Sequence, residues 1–66
     1  MTLTVNDEER QVPDGATVAA LLDTLGLSQQ ATVVERNGKI LDRADYAGAV
    51  LDDGDILELV RLVGGG

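Results

Sequence analysis

Thr17-Val18-Ala19-Ala20-Leu21-Leu22-Asp23-Thr24-Leu25-Gly26-Leu27 is the stretch on which the fold turns. Val18, Leu21, Leu22 and Leu25 fall at i, i+3, i+4 and i+7, which makes one apolar stripe along one side of a helix. The Thr17 hydroxyl can accept from an otherwise unpaired N–H of the first turn. Gly26 stands where a helix ends on a left-handed residue, and Leu27 just beyond can fold back onto Leu22, as in a Schellman stop. The spacing predicts a helix over 17–25. With a single stripe, it covers one face of a sheet and leaves the other open.

The flanks supply the sheet. Met1-Thr2-Leu3-Thr4-Val5 alternates with period 2, which predicts a half-buried strand with Met1, Leu3 and Val5 inward. Asn6-Asp7-Glu8-Glu9 reads as a polar turn. A second strand over about Arg10 to Val12 then returns antiparallel and stops at Pro13, which has no N–H for a ladder and suits an edge. Beyond the helix, Thr32 to Arg36 is a third strand, whose inward face is left open because Val33 and Val34 point opposite ways. Asn37-Gly38 is a hairpin signal, since both residues tolerate positive φ, and Lys39-Ile40-Leu41 is a short fourth strand. Asp42 to Gly48 is irregular, with one helical turn expected near Ala44–Tyr46. Val50 and Leu51 look anchored. Asp52-Asp53-Gly54 is a turn into the last strand, Asp55 to Val63, with Leu57 and Leu59 on one face and Glu58, Val60 and Leu62 on the other. Aliphatics on both faces favour a central position for that strand.

Composition narrows the chemistry. The chain has 66 residues with 44% apolar side chains, Phe 0, Trp 0, Tyr 1, Cys 0 and His 0. That is one small domain, held without disulfides or a structural zinc site. There is no imidazole base and no thiolate nucleophile. Twelve acids against five bases give a net charge of −7, which argues against nucleic acid and anionic lipid as partners and favours proteins with basic surfaces. No apolar run reaches the roughly 20 residues of a membrane span and no signal segment opens the chain, so a cytoplasmic protein is expected, monomeric on its own.

The side chains carry no catalytic constellation. Asp52, Asp53, Asp55 and Glu58 cluster, but Gly54 comes third where a calcium loop needs its glycine at position 6, so a solvated turn is expected and no metal site. Asp7-Glu8-Glu9 reads as a polar hairpin tip, Tyr46 as a gap filler with its hydroxyl in water, and Thr17 as a cap. Gly64-Gly65-Gly66 remains. Three terminal glycines arise by chance with a frequency of roughly 0.0003 at average usage. Without Cβ atoms such a tail can thread a narrow channel and offer its carboxylate there; a frayed end or a linker are the other readings.

The whole chain resembles the ThiS-type sulfur carriers of thiamin biosynthesis, within the β-grasp or ubiquitin-like superfamily. The resemblance rests on the strand from Met1, Thr17-Val18 with Leu21-Leu22, Val33-Val34-Glu35-Arg36-Asn37, Arg43 to Tyr46, Asp53-Gly54-Asp55, and Leu62-Val63-Gly64-Gly65-Gly66. It implies an α+β fold with a mixed five-stranded sheet, first and last strands parallel and central, and the helix across one face. Residues 1–63 would form the domain and 64–66 a flexible tail. It also implies a non-enzyme with no cofactor of its own. An E1-like, ThiF-type adenylyltransferase uses Mg-ATP to adenylate Gly66. Sulfur then displaces AMP to leave a thiocarboxylate, which feeds a ThiG-type thiazole synthase. Gly64 and Gly65 would thread the partner's channel. Val60 and Leu62, outward beside the tail, would be the contact for both partners. Other uses of the same fold are the small subunit of molybdopterin synthase, carriers for tRNA thiolation or cysteine synthesis, and protein modifiers; a plain binding module is a further reading.

Overall fold

The computed structural model describes residues 1–62. Five strands and one helix follow in the order β1 (Thr2–Val5), β2 (Glu8–Gln11), α1 (Val18–Thr24), β3 (Thr32–Arg36), β4 (Lys39–Ile40) and β5 (Ile56–Arg61), with a 3₁₀ turn at Arg43–Asp45. The sheet order is β2-β1-β5-β3-β4. β1 and β5 are parallel, and the other neighbouring pairs are antiparallel. The last strand therefore lies at the centre, as its two aliphatic faces suggest.

The helix forms as its local signals dictate. Thr17 Oγ1 accepts from the Ala20 N–H at 3.1 Å. At the other end Leu27 N–H donates to Leu22 C=O at 2.9 Å and Gly26 N–H to Asp23 C=O at 3.0 Å, with Gly26 at φ +71°. These are the two bonds of a Schellman stop. Val18, Leu21 and Leu22 are buried against Leu3, Val5, Val34, Leu51, Leu57 and Leu59.

Three details depart from the sequence reading, and a fourth, the inward face of β3, settles what it left open. The first hairpin turns on Asn6 and Asp7 alone, at φ 49° and 67°, and Glu8 already pairs with Val5. The turn is therefore the two-residue kind that positive φ permits, and β2 begins two residues earlier than expected. In β3 the inward residues are Thr32 and Val34. Val50 is exposed and only Leu51 is anchored. Tyr46 is buried to its tip: the hydroxyl accepts from Val34 N–H at 3.2 Å and donates to Thr32 C=O at 2.8 Å.

Both asparagines of the positive-φ turns reach across to β5. Leu59 N–H donates to Asn6 Oδ1 at 2.8 Å and Asn6 Nδ2 returns a bond to Leu59 C=O at 3.3 Å. On the other flank Ile56 N–H donates to Asn37 Oδ1 at 2.9 Å. The central strand is thus pinned from both sides by side chains as well as by its ladders.

One buried group is left without a partner: among the described residues, Thr32 Oγ1 makes no hydrogen bond. An unpaired hydroxyl in a core is a net cost, and valine fills the same space without it. Thr32→Val should stabilise the fold by about 1 kcal/mol and raise Tm by several degrees, measured by thermal melting.

Candidate functional site

The helix covers one side of the sheet. Register fixes what stands on the other. Leu57 and Leu59 face the helix and are buried, so Ile56, Glu58 and Val60 face away. Val33 lies opposite Val60, and Glu35 opposite both Glu58 and Ile40. The open face therefore carries an aliphatic group around a pair of carboxylates. Ile56 and Val60 are each 56% exposed, Leu62 just past β5 is 51% exposed, and Ile40 is 72% exposed. These exposed aliphatics are gathered on the face away from the helix.

Val60 and Leu62 thus stand in the open at the end of the central strand, and Leu62 N–H is tied to Ala31 C=O at 2.7 Å. Gly64, Gly65 and Gly66 lie outside the described residues. Sequence reasoning overlooked Ile56, which simple parity with Val60 would have added. It also overlooked Ile40, whose side follows only once the inward face of β3 is known.

The carboxylates at the start of β5 serve the fold. Asp55 is 6% exposed and accepts from Asp52 N–H at 2.8 Å, Asn37 Nδ2 at 3.0 Å and Arg36 Nε at 2.9 Å. Arg36 also pairs with Asp52 at 3.1 Å and donates to Val50 C=O at 3.0 Å. Asp53 Oδ1 accepts from Thr2 N–H at 2.7 Å. Burial pushes the Asp55 carboxyl up, but the Asp52 N–H, the Asn37 amide and Arg36 together outweigh it. Its pKa falls below the ordinary 3.8. The turn is solvated at Asp52, Asp53 and Gly54, as expected, but Asp55 is buried in a knot of hydrogen bonds beneath it. Among the described residues no cluster of His, Cys, Asp or Glu is arranged to hold a metal ion. No helix among them is long and apolar enough to cross a membrane.

A five-stranded mixed sheet, parallel at its centre and crossed on one face by a single helix, is the β-grasp or ubiquitin-like architecture. An archaeal ubiquitin-like protein from Caldiarchaeum subterraneum, 20% identical, shares the fold at a TM-score of 0.50 over 97% of this chain and 96% of its own. The particular branch is fixed by sequence: the profile of the ThiS family matches residues 1–66, and the chain belongs to that family. The crystal structure of the thiamine biosynthesis protein ThiS from Geobacter metallireducens superposes with a TM-score of 0.84 at 35% identity, covering 100% of both chains. The sulfur carrier protein ThiS of Escherichia coli is 32% identical over 66 residues, again 100% of both chains. A thiazole synthase from Paramagnetospirillum magneticum is 44% identical over 66 residues, and there this chain spans only 20% of the relative's length. A second thiazole synthase, from Magnetococcus marinus, carries a similar segment at 35% identity, also 20% of its length.

Proposed function

We infer that this chain is a sulfur carrier whose working atom is the carboxylate carbon of Gly66. The observation that carries the reading is the family match over residues 1–66, which takes in the three closing glycines. The carrier acts as a co-substrate and is no enzyme. With His 0 and Cys 0, it depends on a partner for acid, base and thiol chemistry.

A carboxylate is a poor electrophile, because its charge repels nucleophiles and oxide is a bad leaving group. A ThiF-type adenylyltransferase removes both obstacles. A Gly66 carboxylate oxygen attacks the α-phosphorus of Mg-bound ATP, pyrophosphate leaves, and an acyl-adenylate forms. A sulfur nucleophile at the sulfide oxidation level adds to the acyl carbon. AMP departs with the electron pair of the C–O bond, and a thiocarboxylate remains. Mg-ATP belongs to the activating partner. Gly64 and Gly65, without Cβ atoms, let the end enter a narrow channel. Val60 and Leu62 form the docking contact for this enzyme and for a ThiG-type thiazole synthase, which takes the sulfur for thiamin. The synthase as partner is supported by the two thiazole synthases that contain a segment like this chain. The reactions are expected in the cytoplasm.

Intact-mass measurement tests this directly. With a ThiF-type enzyme, Mg-ATP and a sulfur donor, the chain should gain the mass difference between one sulfur and one oxygen. A variant lacking Gly66, or extended beyond it, should gain nothing while keeping its circular dichroism spectrum. Sulfur uptake by the extended variant overturns the reading. A reconstituted thiazole assay with the loaded carrier then tests the pathway.

A further inference from the structure

The open sheet face sorts charge in a way that the family match does not explain. Glu35 and Glu58 are directly opposite one another across β3 and β5. Side chains so placed have Cβ atoms about 4.5–5.5 Å apart, and like charges there are destabilising. Glu9, opposite Thr4, adds a third acid to the same face. Among the described residues no cation pairs with them. Arg10 pairs with Leu3, Arg36 with Leu57, Lys39 with Arg36, and Arg61 with Thr32, so register sends every basic residue of the strands to the helix side. Arg43, outside the strands, donates to Gln29 C=O at 3.0 Å. The only ion pairs among the described residues involve Arg36 and the N-terminal amine.

A repulsive carboxylate pair ringed by Ile40, Ile56, Val33 and Val60 costs the isolated chain stability. Apolar contacts explain the ring but not the acids at its centre. Covering this face with apolar surface alone would strip water from two carboxylates without replacing it, which is expensive. A second copy of the chain would set acids against acids. The occupant that satisfies both features is a surface with an arginine or lysine at the centre of an apolar patch.

We propose that Glu35 and Glu58 form an acidic hot spot that captures a cationic side chain of the adenylyltransferase docked on the open face. Arginine suits the site best, since its planar fork can serve two carboxylates at once. The aliphatic ring then excludes water from that pair, as the surroundings of a binding hot spot do. This deepens the sulfur-carrier reading and rests on it for the identity of the partner. The contact gives orientation as well as affinity, because an apolar patch alone has no preferred rotation about its normal.

The test is equilibrium binding of the full chain to a purified ThiF-type adenylyltransferase at several salt concentrations. Glu35→Gln with Glu58→Gln should weaken binding about 10- to 100-fold, the range for hydrogen bonds to a charged partner. It should also flatten the salt dependence. Its Tm should be equal to or above that of the parent, since a repulsion is gone, so misfolding is separated from lost contact. Val60→Asp serves as the control for the face itself. If Val60→Asp abolishes binding while the double glutamine variant binds with unchanged affinity and salt slope, the acidic hot spot is overturned and the docking face stands. If neither alters binding, both fall. Thiocarboxylate formation measured separately by mass reports on the carrier chemistry in either case.

Discussion

Asp55→Ala is expected to leave a large fraction of the chain unfolded at 25 °C. The carboxylate ends three bonds at once: the Asp52 N–H, the Asn37 amide and the Arg36 guanidinium all point at it. Removing one member of a buried ion pair costs about 3–5 kcal/mol, because the other stays buried without its counter-charge. Arg36 keeps Asp52 and Val50 C=O, which favours the lower end of that range. A domain of this size holds only about 3–5 kcal/mol in total, so even the lower end consumes most of it. Urea titration followed by circular dichroism measures the loss. Asp55→Asn, which keeps an acceptor and loses the charge, should be less damaging.

The same residue sets part of the acid limb. Its pKa is depressed in the folded chain relative to the ordinary 3.8. The unfolded chain therefore takes up the proton first as pH falls. The stabilisation is fully present well above 3.8, shrinks as the pH drops toward and below that value, and is gone once the folded carboxyl is also protonated. Stability measured from pH 6 to pH 2 should fall more steeply for the parent than for Asp55→Asn.

Tyr46→Phe is the second large effect, and it isolates a single oxygen. β4 has only two residues, and its ladder covers just Glu35 and Arg36 of β3. Further back along β3, the groups that would face a longer β4 need other partners. The Tyr46 hydroxyl supplies them, accepting from Val34 N–H and donating to Thr32 C=O. It replaces the missing strand with one atom. Phenylalanine keeps the ring but leaves a buried donor and a buried acceptor unpaired, at roughly 1–3 kcal/mol for each group. A loss of about 3 kcal/mol is expected. Faster hydrogen exchange at the Val34 amide would locate it, and an unchanged rate there would contradict the role assigned to the hydroxyl.

How much of this was legible follows from which signals are local. The helix was, because its cap, stripe and stop all lie within Thr17–Leu27 and need no partner to be read. The central position of β5 was also legible, from aliphatics on both its faces. The start of β2 was not. Glu8-Glu9-Arg10-Gln11 is exposed throughout, and an edge strand with no buried face has no alternation to read. Val33-Val34 could not be oriented, since adjacent valines satisfy either face; the pairing of Val34 with Leu59 decides it. Tyr46 reads as a gap filler, and it is one, but its hydroxyl, expected in water, is paired instead with backbone groups of β3 that are distant in sequence. Asp55 reads with its exposed neighbours as solvated, and it is buried because Arg36, Asn37 and the Asp52 N–H close on it. Of the candidate site, Val60 and Leu62 were read from strand parity alone. The acids beside them gain meaning only from cross-strand register.

The two asparagine clamps on β5 have a metric consequence. A strand advances about 3.3 Å per residue, and a slip that keeps the same side chains inward must move it by two residues, or about 7 Å. Asn6 grips Leu59 and Asn37 grips Ile56, so such a slip would break both grips together. They act as the detents of a ruler: they set how far anything attached downstream of Arg61 stands from the neighbouring strands β1 and β3, which would stay in place if β5 moved.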